Sequence, residues 1–549
     1  MKRNILSLAV TAGVAGLTAA SAQSAMHLND KGLGEALIYP FYSTANGNDT
    51  YVTVVNTSAF AKAVKVRFID AYNSAEVLDF NLYLSAEDVW TAAITNLAEG
   101  SPGIRTIDNS CTVPELGGPN PPFNGTTTER DDGSFLREQP FVNFQFLNDE
   151  LDRFAGTASI PAEVEETDIA VRGVQGYIEI IEMGALDPDA DTGTVAGAAG
   201  FDYAGAVTHA PSGIPANCGA VVAAWDPDGG IWNKNAGEDF LTYDDSDSAG
   251  GLYGLGQIIN TLDGTMASYD AVAIDDFAVA GFPGALHFAP GNVQPDLGDA
   301  QSDVTIYDDA TAMAVTYSFT TNSYDPASAL FMSREVINDF LIDPEVRGQT
   351  DWVVTMPTKR PHVNTTTPTA LGQAIQPFSG VWNGQQACEA FNLEYWDREE
   401  ANTIIDNDSD FSPRPPGQVT PDAKMCAEVN IITFNDDGDE ALDQSALGGT
   451  AGITVGFVVD DNEGWARLSF DPANLVTAPG AVTASDGTPD AGEARVIVAD
   501  GGDRFTGLPV TGFAVIKYKD ESGLTSSEGA ILNYAGSFKH KVVASIESP

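Results

Sequence analysis

Three runs near the amino end read as consecutive strands, two of them alternating apolar and polar residues with a period of two, and they restrict the fold more than any other feature. Tyr51-Val52-Thr53-Val54-Val55 is β-branched and lies between Gly47-Asn48-Asp49 and Asn56-Thr57-Ser58. In Ala63-Val64-Lys65-Val66-Arg67-Phe68, the residues Val64, Val66 and Phe68 share one face while Lys65 and Arg67 share the other. Leu78, Phe80, Leu82 and Leu84 alternate in the same way through the next run. Successive side chains of a strand point to opposite sides, so each run has one face suited to a core. Strands at this spacing with turn-rich joints predict a mainly β chain: antiparallel β-sandwich modules with long loops and at least one helix.

Further along, residues 100–165 read as a long polar loop region, 174–183 as a strand, and 185–250 as a weakly patterned stretch of Gly, Ala and Asp. Asp325-Pro326 opens an expected helix over 326–342. Asp325 suits the cap, Pro326 the first helical position, and Pro344 the stop. Leu330, Val336, Ile337, Phe340 and Leu341 supply its apolar face. Strand character returns at 351–356, 453–459, 494–499 and 512–518. The phrases VQGYIEI (174–180) and VTGFAVI (510–516) suggest equivalent strands. The expected division is a signal peptide at 1–22, N-terminal sandwich strands at 23–110, a loop-rich region or insertion at 111–350, and a β-rich region at 351–549 that completes or adds a sandwich.

The signal peptide is read from Lys2 and Arg3, an apolar run from Ile5 to Leu17 that is too short to span a bilayer, and the small-residue site Ala20-Ser21-Ala22. Export is therefore expected, to the periplasm, the cell surface or the medium. No later run has 18 uninterrupted apolar residues, so no transmembrane helix is expected. The terminal Ser-Ile-Glu-Ser-Pro lacks the aromatic end of an outer-membrane barrel. Four cysteines in an oxidising compartment suggest two disulfides. Of the three connectivities, Cys111–Cys218 with Cys388–Cys426 is expected, because each loop then stays within one half of the chain.

Charge sets the expected partners. With 78 acidic and 26 basic residues, the net charge is -52. Such an excess repels nucleic acid and anionic membranes. Two readings stay open: a hydrated acidic surface suited to saline surroundings, or dedicated Ca²⁺ sites. Asp187, Asp189 and Asp191, and likewise Asp406, Asp408 and Asp410, place carboxylates at alternate positions that can turn toward one hard cation. Neither cluster has the glycine and glutamate of an EF-hand loop. The scarce basic residues recur on single strand faces, Lys65 with Arg67 and Lys517 with Lys519. They read either as charges that keep a strand edge soluble or as an interface for self-association or for cell-surface components.

No nucleophile elbow, phosphate-binding loop, dinucleotide fingerprint or zinc-binding histidine pair occurs. Among five histidines, His362 stands in a turn-like Lys-Arg-Pro-His and reads as a solvated loop residue or a binding group. Glu179, Glu182 and Glu394 lie beside apolar runs and are the first candidates for hydrolytic carboxylates. Trp382, Tyr395 and Trp396 flank Cys388, either as core packing or as aromatics that stack on sugar faces.

The run at 36–90, with DWVVTMPTKRPHVN (351–364) and FTGLPVTGFAVIKY (505–518), resembles a family of exported proteins of Gram-negative bacteria. The resemblance implies export and a surface or extracellular setting. It supplies no activity, ligand or catalytic residue. The function expected from these features is a secreted or cell-surface, non-enzymatic structural protein that self-assembles. The alternatives are a secreted hydrolase of polysaccharides or esters, and a Ca²⁺-dependent adhesin or glycan-binding protein.

Overall fold

The computed structural model describes residues 25–97, 100–120, 123–143, 168–186, 201–233, 241–242, 249–278, 286–308, 313–344, 347–363, 375–382, 386–400, 402–405, 423–435, 445–459, 462–475, 482–483, 491–492, 494–518 and 533–549. The expected signal peptide lies outside them, as do Asp187, Asp189, Asp191, Asp406, Asp408, Asp410 and Lys519.

Four large sheets dominate, and the chain is mainly antiparallel β. The first has eight strands. Its main path runs His27–Leu28, Val272–Asp275, Ala36–Ser43, Gln175–Leu186, Lys62–Asp70, Glu76–Leu84 and Cys111–Val113, with Leu241–Thr242 appended to Gln175–Leu186. Seven strands form the second: Thr126–Glu129, Phe135–Pro140, Pro102–Thr106, Val89–Asn96, Asn48–Asn56, Leu252–Asn260 and Thr265–Asp270. The third runs Asn402–Ile405, Asn392–Asp397, Glu463–Ser469, Glu335–Leu341 and Lys541–Val543. The fourth runs Thr454–Val458, Val429–Asn435, Gly348–Thr355, Thr511–Tyr518 and Tyr534–Lys539, with one parallel pair between its first two strands.

The first two sheets enclose one core. Val52 and Val54, Val64, Val66 and Phe68, Phe80 and Trp90 all point into it, as their alternation requires. The third and fourth sheets enclose another, built on Phe340, Trp352, Leu393, Tyr395, Phe434 and Leu468. Gly348–Thr355 is buried at every position because it serves both cores. Trp352 and Val354 face the second core, while Val353 faces the first together with Phe513 and Val515 of the neighbouring strand. Tyr269 and Phe513 stack across the junction with ring centroids 4.5 Å apart. Nearby, Thr265–Asp270 and Tyr534–Lys539, each at the end of its own sheet, are joined where the Ser537 hydroxyl donates to the Ser268 carbonyl. Each thus shields the other's open edge.

Two disulfides, Cys111–Cys218 and Cys388–Cys426, follow the expected pairing. The first ties an edge strand to the short helix Cys218–Ala224.

The helix expected over 326–342 is shorter. It spans Asp325–Phe331, and the chain then extends into Met332–Ser333 and Glu335–Leu341. Val336, Asn338 and Phe340 turn inward with a strand period, and Glu463–Ser469 supplies a ladder of partners. Tertiary pairing outweighs the weak helical spacing of these β-branched and aromatic residues.

Lys65 and Arg67 also depart from expectation. They do share a face, but that face is buried. Lys65 donates to Asp79 at 2.9 Å and to the Ala289 carbonyl at 3.1 Å. Arg67 pairs with Glu76 at 2.8 Å and with Glu179. The segment around 288–291 covers this face: the Phe288 carbonyl accepts from Asn81 and the Gly291 amide donates to Asp79. These two cations are internal braces and cannot dock a neighbour.

Candidate functional site

The alternation that fills the second core leaves the opposite face of the third sheet outside. Leu393, Tyr395, Ala466 and Leu468 point inward. Glu394 and Trp396 therefore point outward, as do Trp465 and Arg467 on the adjacent strand. Register places Trp396 directly opposite Trp465, and Glu394 opposite Arg467. The two indoles stack nearly parallel, 6° between planes and 4.0 Å between centroids. Arg467 binds the Glu394 carboxylate and sets its guanidinium 5.1 Å from the centre of the Trp396 ring. On the far side of Trp465 the ladder places Asp339, a short and exposed side chain. A second surface pair, Arg398 with Glu463 at 2.5 Å, stands at the same end of the sheet.

Trp465 remains 36% exposed. An indole face, carboxylates and a guanidinium thus share one open surface. The Trp–Trp stack and the Arg467–Glu394 pair limit side-chain motion there, so little rotamer entropy remains to be lost on binding. Trp396 was singled out in the sequence, whereas Trp465 was not. The two are 69 positions apart in the chain, and only strand register brings them together.

No family model, curated protein or solved structure matches this chain.

The other sequence candidates lie elsewhere. Glu182 pairs with Lys62 at 2.6 Å, both side chains fully buried. Glu179 and Glu76 flank Arg67, and burial pushes each carboxyl up to about 7 against the pull of that guanidinium. These acids sit inside the first sheet's covered face. Glu394 is on the indole face, but as the ionic partner of Arg467. His362, expected as a solvated loop residue, is fully buried on the short helix Lys359–Val363. Its Nε2 lies 3.1 Å from the Ser328 hydroxyl, which donates to Thr358. Burial drives the imidazole down to about 4, so it stays neutral. Ser328 and Thr358 are as buried as His362, and the group braces two helices against each other. Trp382 and Tyr395 are core residues. Lys517 is held by Asp263 of the same chain at 2.5 Å; it too is an internal brace.

One group could hold a metal. Among the described residues, ligand atoms of His27, Asp275 and Asp276 lie within 4.8 Å of one another. A hollow of about 640 Å³ opens between the two sandwiches, lined by Lys31, Tyr253, Tyr269, Asp270, Phe513 and Lys539 among others.

Proposed function

We propose that the protein is a non-enzymatic, extracellular carbohydrate-binding protein, and that the outer face of its third sheet takes a neutral polysaccharide. The Trp396–Trp465 pair carries this reading. A pyranose ring has an apolar C–H face and a rim of hydroxyls. Trp465 offers a rigid apolar surface of matching size, and Asp339, Glu394 and Arg467 offer acceptors and donors at its margin. The acidic balance of the chain favours neutral over uronate-rich glycans, since like charge repels. Export is supported by two disulfides.

A hydrolase reading has less support. Glycosidases set two carboxylates across an accessible bond. Here the carboxyls shifted toward neutrality at Glu76 and Glu179 are internal. Self-association through Lys65, Arg67 and Lys517 is not carried forward, because all three are engaged within the chain.

Affinity electrophoresis through gels containing neutral β- and α-glucans, mannan or chitin derivatives tests the reading. At least one polysaccharide should retard the wild type. Trp465→Ala should lose at least tenfold in affinity while melting like the wild type, and no new reducing ends should appear. Equal retardation of wild type and Trp465→Ala, or none with any neutral glycan, would overturn it.

A further inference from the structure

We propose that His27, Asp275 and Asp276 form a binding site for a divalent first-row transition ion, which clips the first strand of the described chain onto the sheet. This site is separate from the indole face and does not depend on it.

The geometry begins with strand pairing. His27 lies directly opposite Asp275 in the antiparallel ladder between His27–Leu28 and Val272–Asp275. Asp276 follows at once, in a left-handed turn with φ 55°. Its carboxylate oxygen is 3.5 Å from His27 Nδ1, which also lies 3.2 Å from the Ala25 carbonyl oxygen. Donors bound about 2.0–2.2 Å from one ion stand roughly 3–4 Å apart, so this pair already has the required spacing. Asn29 donates to Asp275 Oδ2 at 3.0 Å. That bond orients the carboxylate, as outer hydrogen bonds do in metal sites. Gly250 gives the room. A Cβ there would stand 3.0 Å from Asp275 Oδ1. All three proposed ligands are partly exposed, so an ion can enter from solvent.

The buried wall beside the site is also acidic. Glu35 is 4% exposed and its Cγ lines the same Gly250 wall. It accepts the Ala278 amide at 2.7 Å. Among the described residues, no basic side chain forms an ion pair with it. Instead it faces like charges on Asp275, Asp276 and Glu182. Lys62 is committed to Glu182.

The donor set selects the ion class. One imidazole nitrogen with carboxylate oxygens suits Zn²⁺, Co²⁺, Mn²⁺ or Ni²⁺. Ca²⁺ prefers an all-oxygen shell of six to eight donors.

Co²⁺ serves as the probe because its visible absorption reports nitrogen ligation. The full mature protein is dialysed against chelator, returned to buffer with millimolar Ca²⁺ to occupy weak surface carboxylates, and titrated with Co²⁺. One equivalent should develop d–d bands. His27→Ala and Asp276→Asn should each weaken the binding at least tenfold, while His209→Ala should leave it unchanged. In metal-free buffer both site variants should melt as the wild type does. One equivalent of Co²⁺ should raise the melting temperature of the wild type alone. Absence of the bands in wild type, bands of undiminished affinity in His27→Ala, or their loss in His209→Ala would each overturn the assignment.

Discussion

Gly176 and Gly512 occupy matching places in two different sheets. Each lies against the carbonyl oxygen of the adjacent strand, where an added Cβ would stand 1.9 Å away, from Ile69 in one case and Val353 in the other. An aromatic follows each, Tyr177 and Phe513, and both aromatics enter the first core. The two strands are interior to their sheets, so the clash could be relieved only by parting a ladder. Gly176→Ala is therefore expected to cost about 3 kcal/mol or more. Urea unfolding of the variant beside the wild type would show it. A loss under 1 kcal/mol would mean that the sheet yields more easily than its geometry implies.

Lys62 and Glu182 form a fully buried pair. Lys62→Met strands a carboxylate and should cost about 3–5 kcal/mol. Lys62→Met with Glu182→Leu should recover most of that loss, because desolvation of both charges is removed together. A double-mutant cycle by denaturant unfolding measures the coupling. Additive losses would contradict the expectation.

Thermal stability should fall as pH rises from about 6.5 to 8.5. Burial raises Glu428 from 4.5 to about 8, against the pull of Lys359 and Arg360. Glu76 and Glu179 are raised from 4.5 to about 7. In this window the folded state holds protons that the unfolded chain has released. The contribution is complete below about 4.5 and is lost as pH climbs through 7 and 8. His362 and His540 act in the opposite sense. Both are lowered from 6.5 to about 4, so their contribution is present above 6.5 and lost as pH falls toward 4. Glu428→Gln should flatten the alkaline decline in a calorimetric series. A melting temperature that rises between pH 6.5 and 8.5 would refute the assignment.

The two disulfides close loops of different length, with sequence separations of 107 and 38. Loop entropy gives about 4.8 kcal/mol for the longer and about 3.9 kcal/mol for the shorter. Replacing Cys111 and Cys218 by Ser should accordingly lower stability more than replacing Cys388 and Cys426, as read by guanidinium unfolding. The reverse order would show that local packing, rather than chain entropy, sets the difference.

Much of the sandwich was legible because a period of two needs only a short window to see. Val52, Val54, Leu78 and Phe80 are buried as their spacing requires. What a window cannot show is whether the other face is covered. Lys65 and Arg67 look solvated until residues more than two hundred positions later close over them. The helix over 326–342 failed for a related reason: Val336, Ile337 and Phe340 fit either period, and only the partner strand decides. His362 sits in a turn-like phrase whose burial depends on Ser328 and Phe378. The indole face was half legible, through Trp396. The His27, Asp275 and Asp276 group was not legible at all, since ladder register alone joins residues so far apart.

The place of Gln175–Leu186 between Ala36–Ser43 and Lys62–Asp70 governs the order in which the molecule can be made. A chain emerging amino end first presents two strands with an empty slot between them. They cannot complete their ladder until more than a hundred further residues have been synthesised. Val272–Asp275 arrives later still to receive the first strand. Closure of the first sheet must thus wait until Asp275 has been made. Such long-range pairing is slow and leaves sheet edges open to aggregation. Covering those open edges in the interval therefore favours correct assembly.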